Sequence, residues 1–303
     1  MIVTEHLSKR YRKKVAVDDL SFTVQTGKVT GFLGPNGAGK STTMRLMLGL
    51  DNGPGKTTYD GKPLHHYHRP SQVVGILLEA KAFHPTRPAR SHLKVLATAG
   101  NIPFKRVDEV LDIVGLKDVG RKKPGKFSLG MSQRLGIAAA ILGEPKYLLL
   151  DEPANGLDPE GIAWLRQFIK DYADRGNAVF VSSHLLSEMS QMADNILVIG
   201  KGKMIAETSM TELVANDGRS GVFVRSPHLA DLEKALTTKK LDVTKFGKGL
   251  KIHGATTDQI GAMAFQAKLP LSELKAQDAS LEEAFLQLTA NAQEFTTKSE
   301  SKK

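Results

Sequence analysis

The segment Gly34–Ser41 reads GPNGAGKS, a spacing of glycines, lysine and serine that can bind phosphate groups. Glycines let backbone N–H groups close around phosphate oxygens, and the N-terminus of a following helix favours negative charge. Lys40 would reach the β- and γ-phosphates, and the Ser41 hydroxyl would ligate Mg²⁺. A chance glycine-rich turn could carry the same letters, so the flanking elements decide between the two interpretations.

Those flanking elements favour a nucleoside triphosphate site. An apolar strand pattern at Val29–Leu33 leads into the loop, and a helix pattern at Thr42–Leu48 leaves it. The residues predicted to contact the nucleotide here are Gly34, Pro35, Asn36, Gly37, Ala38, Gly39, Lys40, Ser41 and Thr42.

A pair of acids follows a second apolar strand pattern, Tyr147–Leu150. Asp151 is suited to hold a metal ion, and Glu152 is suited to polarise a water molecule for attack on the γ-phosphate. Two acids at a strand end are often only an edge or a cap. Because this pair follows a phosphate-binding loop, we interpret it as the second half of a hydrolytic site.

Composition limits the possible classes of function. A chain of 303 residues, 41% of them hydrophobic, is long enough for two domains with a sizeable core. It contains no cysteine, which excludes disulfides, thiolate metal sites and a cysteine nucleophile. The net charge of +10 suits a nucleic-acid or anionic-lipid surface, or only a lysine-rich solvated surface. The basic residues are dispersed, so we expect no nucleic-acid partner.

The sequence offers no segment that would carry the chain into a membrane. No apolar run approaches the ~20 residues that a spanning helix needs. Residues 1–6 lack the basic region and apolar core of a signal peptide. We therefore expect a cytoplasmic protein that reaches the inner face of the membrane through a partner.

Alternating patterns divide the chain into two predicted domains. Residues 1–217 mix strand and helix patterns, as in an α/β domain, and residues 85–142 are mostly helical and form a predicted subdomain. A polar, turn-like stretch then leads to a small β/α domain at residues 218–290, which includes a capping-box helix start at Ser280–Glu283. Residues 291–303 are polar and predicted to be disordered.

Four further segments complete a resemblance to the ATP-binding subunits of ABC transporters, over about residues 1–215. Phe127–Arg134 (FSLGMSQR) is similar to the signature motif of that family and its following Gln-Arg. Gly156–Asp158 resembles the D-loop, and Ser182–His184 resembles the segment with the switch histidine. Tyr11 lies where the family has an aromatic ring that stacks on adenine. We call Phe127–Arg134 the signature segment and Gly156–Asp158 the D-loop segment.

The resemblance implies the fold, the ligands and the partners. It implies an α/β P-loop NTPase domain, with a mixed sheet and a helical subdomain, followed here by a small α+β domain. The implied cofactors are ATP and Mg²⁺, and the implied metal-binding residues are Ser41, Asp151 and Glu79. The implied partners are a second ATP-binding subunit, as a homodimer or heterodimer, and an integral-membrane permease.

The resemblance also implies roles for single residues. The helix-like run after Ser128 and Gly130 would place them at a helix N-terminus, where they would close over the γ-phosphate of the partner subunit. His184 would contact the γ-phosphate and orient water, although a lone histidine is more often an ordinary, partly buried one. Asp158 would contact the dimer partner or, alternatively, cap the next helix.

Two departures from the family pattern carry information. The signature reads Ser-Leu-Gly-Met where Ser-Gly-Gly-Gln is usual, which keeps Ser128 and Gly130 but loses a glutamine. Glu79 stands at the usual position of the Q-loop glutamine, followed by Ala-Phe-x-Pro spacing up to Pro85. Glu79 and the Ala-Phe-x-Pro spacing after it both resemble the bacitracin and lantibiotic self-protection branch of the family. A glutamate can still ligate Mg²⁺, but it adds negative charge near the γ-phosphate.

Three functions compete for these residues. The favoured one is a transport ATPase subunit that powers a separate permease and exports a drug, peptide or lipid-like compound. The alternative is a soluble ABC-type ATPase that acts on ribosomes or DNA, but this chain lacks the second ATP-binding domain or long coiled-coil insertion usual there. A GTPase or kinase is disfavoured because no Asn-Lys-x-Asp motif occurs. The transported substrate contacts the permease, so this chain does not identify it.

Overall fold

The computed structural model describes residues 1–212, 221–239 and 241–277. These residues divide into two compact units, of which the first contains Met1–Met210 and the second lies within Thr211–Gln287. The predicted helix that starts at Ser280 and the predicted tail at residues 291–303 lie outside the described residues, as does the predicted domain boundary near residue 217.

The first unit alternates strands and helices along the chain. In order, its strands and α-helices are β1 (Ile2–Tyr11), β2 (Lys14–Val24), β3 (Lys28–Leu33), α1 (Lys40–Met47), β4 (Lys56–Tyr59), β5 (Val74–Leu77), α2 (Ala89–Ala99), α3 (Lys105–Ile113), α4 (Leu129–Ala140), β6 (Tyr147–Leu150), α5 (Pro159–Asp174), β7 (Ala178–Ser183), α6 (Leu186–Met189), β8 (Asn195–Gly200) and β9 (Lys203–Ser209).

Six of these strands form a sheet in the order β5-β6-β7-β3-β8-β9. The first five are parallel, and β9 pairs antiparallel with β8. Every residue of β6 and β7 is buried, as expected for parallel strands that are covered on both faces. The carboxyl ends of parallel strands meet at one edge, which brings the segments after β3, β5, β6 and β7 together.

A second, antiparallel sheet of the first unit has the order β2-β1-β4. Phe22 of β2 joins it to the six-stranded sheet, because its ring lies 5.9 Å from that of Phe32 and 5.5 Å from that of Phe180. The helices α2, α3 and α4 pack on one another and lie within the predicted helical region. Since α4 also packs on β5, the helical region is tied to the edge of the six-stranded sheet.

The second unit is a four-stranded antiparallel sheet with two helices. Its elements are β10 (Gly221–Arg225), α7 (Leu229–Thr238), β11 (Asp242–Phe246), β12 (Gly249–His253), α8 (Thr257–Gln266) and β13 (Glu273–Gln277), with strand order β11-β12-β10-β13. Leu232, Leu236 and Ile260 of the helices are buried against Val222 and Ile252 of the sheet. Thr256 and Gln259 form a capping box that starts α8.

Among the described residues, no helix has the length and apolar character required to cross a membrane.

Candidate active site

The loop between β3 and α1 has the geometry of an anion cradle. Gly37 and Gly39 have φ angles of 82° and 108°, and a Cβ on Gly39 would lie 2.4 Å from the carbonyl oxygen of Ala16. Only glycine fits there without a backbone shift. No side chain caps the N-terminus of α1, and its first turn contains no acidic residue. Its N–H groups therefore suit an anion such as a phosphate group.

Lys40, the first residue of α1, is buried beneath this loop with 6% of its side chain exposed. Its Nζ donates a 2.7 Å hydrogen bond to the carbonyl oxygen of Gly34 and lies 3.1 Å from Oε1 of Glu152. That second contact is an ion pair without hydrogen-bond alignment, since Oε1 has no hydrogen-bond partner among the described residues. The structure thus places a buried cation at this loop, and its phosphate-binding role stays a prediction.

Asp151 and Glu152 follow β6 at the carboxyl edge of the sheet, and both are fixed by one serine of β7. The Ser182 hydroxyl donates to Oδ1 of Asp151, and it accepts a 2.9 Å hydrogen bond from the backbone N–H of Glu152. Asp151 is 9% exposed, and its oxygen donors suit Mg²⁺, which is usually held in proteins by one or two carboxylates together with substrate phosphates. Ser182 belongs to the segment that resembles the one with the switch histidine, but the sequence did not indicate that it positions both acids.

His184, the first residue after β7, contacts the other oxygen of the same glutamate. Its Nδ1 lies 2.8 Å from Oε2 of Glu152, and the two side chains are 34% and 20% exposed. The structure therefore brings Lys40, Glu152 and His184 together around one carboxylate. A partly exposed carboxylate, held by an ion pair on one oxygen and by a hydrogen bond on the other, can polarise a water molecule.

Tyr11 lies at the end of β1 with 45% of its surface exposed. Its hydroxyl donates a 2.7 Å hydrogen bond to Asp51, whose carboxylate also accepts from Arg45 of α1 at 3.1 Å. The bond to Asp51 raises the pKa of the Tyr11 phenol, and the bonds from Arg45 and Tyr11 lower the pKa of Asp51. Lys9 covers one face of the ring at 5.0 Å from its centroid. An adenine could stack on the other face.

Glu79 follows β5 and is exposed. Leu77 of β5 pairs with Leu150 of β6, and the Leu77 carbonyl accepts a 2.7 Å hydrogen bond from Asp151. Glu79 therefore lies at the same sheet edge as the two acids. Ser41, the third residue in the predicted metal set, is exposed in the first turn of α1.

Ser128, Gly130 and Asp158 form a second group. Ser128 is the N-cap of α4 and accepts a 3.1 Å hydrogen bond from the Met131 N–H. A Cβ on Gly130 would lie 3.2 Å from the carbonyl oxygen of Gly156, so the signature segment packs on the D-loop segment of its own chain. Asp158 caps α5 by accepting a 2.9 Å hydrogen bond from Gly161, the alternative role considered above. The side chain of Ser128 remains exposed.

The family comparisons assign residues 17–155 to the family described as ABC transporter, and residues 220–282 to a domain of unknown function (DUF8746). The ABC transporter ATP-binding protein YhcH of Bacillus subtilis is 35% identical over 96% of this chain and 96% of its own length. The bacitracin transport ATP-binding protein BcrA of Bacillus licheniformis is 42% identical over 78% of this chain and 77% of its own. The predicted resemblance to this branch is confirmed.

A solved structure described as the ATP-binding subunit of an ABC transporter superposes with a TM-score of 0.65. It is 26% identical to this chain and covers 72% of it and 93% of its own length. The predicted fold class, an α/β P-loop NTPase domain with a helical subdomain, is confirmed by this likeness and by the topology described above.

Proposed function

Because the chain belongs to the ATP-binding subunits of ABC transporters, we propose that two subunits form a dimer that powers a separate membrane permease. The chain itself binds ATP and is an ATPase whose hydrolysis is coupled to transport.

Phosphate binding falls to the loop and to Lys40. The uncapped N-terminus of α1 offers N–H groups to the phosphates, and the buried Lys40 offers a positive charge. The exposed face of Tyr11 stacks on the adenine. Ser41, Asp151 and Glu79 would hold Mg²⁺, which when bound neutralises charge on the phosphate oxygens. Their oxygen donors at one sheet edge support this assignment.

Hydrolysis falls to Glu152 and His184. Glu152 accepts a proton from the attacking water, since its carboxylate lies at the carboxyl edge of the sheet, 3.1 Å from Lys40 of the phosphate-binding loop. His184 contacts Oε2 at 2.8 Å and keeps that oxygen in place, while Lys40 contacts Oε1. The convergence of these three side chains is the observation that carries the catalytic assignment.

The exposed N-terminus of α4 supports a composite site shared by two subunits. Gly130 contacts the D-loop segment in its own chain, and the Ser128 side chain is exposed. An exposed helix N-terminus can bind the γ-phosphate of a second subunit. Asp158, next to this surface, then combines its capping role with a contact to the partner subunit.

Replacing Ser128 with arginine tests the composite site. We expect Ser128→Arg to lower ATPase activity at least ~100-fold, because a bulky cation replaces a phosphate contact that develops in the transition state. ATP affinity of the isolated monomer should stay unchanged. Ser128→Thr, which retains the hydroxyl and the helix cap, is the matched control and should remain active.

Mixing completes this test. A Ser128→Arg chain and a Lys40→Ala chain would together form one site from intact halves, so mixed samples should regain part of the activity. Weak ATP binding by Ser128→Arg monomers, or no recovery on mixing, would contradict the composite site.

A groove beside Glu79 supports the permease as partner. It has a volume of about 800 Å³ and lies between β5, α2 and α4. Its wall includes Ile76 and Leu96, which are 40% and 36% exposed, with His68 and Arg69 among its polar lining. Exposed apolar side chains in one groove suit an amphipathic segment of another protein. Because Glu79 lines the same groove, occupancy there can influence the hydrolytic edge of the sheet.

Glu79→Gln tests this connection. The change removes one negative charge near the γ-phosphate, where a single charge can alter a barrier by ~1 kcal/mol or more. We expect basal hydrolysis to rise about tenfold in the isolated subunit and coupling to transport to weaken in the reconstituted complex. Phosphate release measures the hydrolysis rates of the wild type and of Glu79→Gln, each with and without the permease. Equal hydrolysis rates for the wild type and Glu79→Gln, both in the isolated subunit and in the reconstituted complex, would contradict this role of Glu79.

The subunit acts, in this proposal, on the cytoplasmic face of the membrane and drives export. Its similarity to the bacitracin transport ATP-binding protein supports a drug, peptide or lipid-like cargo. The unit within Thr211–Gln287 is proposed as an accessory domain that modulates the complex.

A further inference from the structure

Gln133 connects the signature helix to the catalytic glutamate of the same chain. It lies in the second turn of α4 and is 4% exposed. Its Nε2 donates two hydrogen bonds of 3.2 Å, one to the backbone carbonyl of Glu152 and one to that of Asn155. Neither carbonyl belongs to α4, so the side chain spans from the helix to the turn after β6.

The backbone that Gln133 contacts is strained. Glu152 has a φ of 48°, in the left-handed region that residues with a side chain seldom adopt. Such a conformation persists where surrounding groups hold it, and it is found preferentially at functional sites. On one side, Ser182 accepts the Glu152 N–H at 2.9 Å. On the other, Gln133 donates to the Glu152 carbonyl, so both polar backbone groups are fixed.

The chemistry of the contact requires an amide. Two carbonyl oxygens face the side-chain end of Gln133, so the group there must supply two donors. The remaining oxygen, Oε1, is buried and has no hydrogen-bond partner within the part of the chain that the structure describes. Glutamine thus satisfies two backbone carbonyls of the turn after β6 and leaves one acceptor of its own unpaired, whereas an apolar side chain of similar length would leave both carbonyls without this donor.

We propose that Gln133 is a positioning residue for ATP hydrolysis, which holds the Glu152 backbone in its left-handed conformation. The inference rests on the proposed role of Glu152 as the base. Since α4 also carries Ser128 at its N-terminus, a shift of the signature helix moves the support of the glutamate in the same chain. Loss of the two hydrogen bonds lets the carboxylate leave the place set by Lys40 and His184.

Gln133→Met separates positioning from packing, because methionine matches the length of glutamine and removes both the donors and the unpaired oxygen. We expect kcat to fall about 10- to 100-fold, as misplacement of a catalytic group by ~1 Å can cost that much. KM and the affinity for a non-hydrolysable ATP analogue should change less than about threefold. Gln133→Glu, which turns an acceptor towards the two carbonyls, should lose at least as much activity. Gln167→Met, at an exposed glutamine of α5, is the matched control.

A double variant supplies the decisive readout. If Gln133 acts through Glu152, Gln133→Met should add no further loss to Glu152→Gln in single-turnover assays. If the rate losses of the two single variants multiply in the double variant, the inference is overturned. It is also overturned if Gln133→Met alone lowers kcat and the affinity for the ATP analogue by the same factor. Full turnover by Gln133→Met beside an inactive Glu152→Gln would overturn this inference alone. Turnover by Glu152→Gln itself would remove the proposed base, and the inference with it.

Discussion

Glu152→Gln is expected to abolish steady-state ATP hydrolysis and leave ATP binding intact. The substitution keeps the size of the side chain but removes the group that accepts a proton, a loss of ~10²–10⁴-fold or more in rate. Lys40 and the loop that binds phosphate are unchanged. With hydrolysis blocked, the ATP-bound dimer should accumulate and elute earlier in size-exclusion chromatography.

Glu160→Gln is the matched control, because Glu160 is an exposed glutamate in the first turn of α5. It should hydrolyse ATP at the wild-type rate and give no trapped dimer. If Glu152→Gln hydrolysed ATP within a few-fold of wild type, Glu152 would not be the base.

Lys40→Ala is expected to remove ATP binding itself. The side chain is 6% exposed and is the buried cation beside Glu152. Its loss would leave the phosphate charge of bound ATP without this buried cation, and a charge left unpaired in a buried site costs ~3–5 kcal/mol. A free-energy cost in this range corresponds to a loss of ATP affinity of at least ~100-fold. Isothermal titration calorimetry with ATP measures it directly.

Lys28→Ala serves as the control for Lys40→Ala. Lys28 begins the same strand, β3, and its Nζ forms only a surface ion pair, 3.5 Å from Asp194. Surface pairs contribute ~0–1 kcal/mol, so ATP affinity should not change. Near-native ATP affinity in Lys40→Ala would show that Lys40 does not bind the phosphates.

The buried parallel strands were predictable from sequence, and the first two strands were not. β6 and β7 are continuous apolar runs, which makes them visible without knowledge of their neighbours. The pairing of β1 with β2 is interrupted by register shifts, and His6 and Asp19 have positive φ angles. These irregularities break the two-residue alternation by which a half-buried strand is recognised.

Motifs predicted which side chains would meet, but not what holds them. The residue types of Lys40, Asp151 and Glu152, together with their spacing, already indicate their chemistry. Ser182 and Gln133 act on backbone groups of residues far away in sequence. Such contacts depend on tertiary packing and leave no spacing rule in one sequence. Asp158 shows the converse, since its capping bond is local and could be foreseen.

The arrangement around Tyr11 has a consequence for the choice of nucleobase. Its hydroxyl is engaged by Asp51, and Lys9 lies over one face of the ring, so the residue offers the other face to a ligand. Every base has a π-face, whereas only hydrogen bonds to base edges distinguish adenine from guanine. A tyrosine held in this way discriminates by stacking strength. In its proposed stacking role, this ring would therefore contribute little to a preference for ATP over GTP.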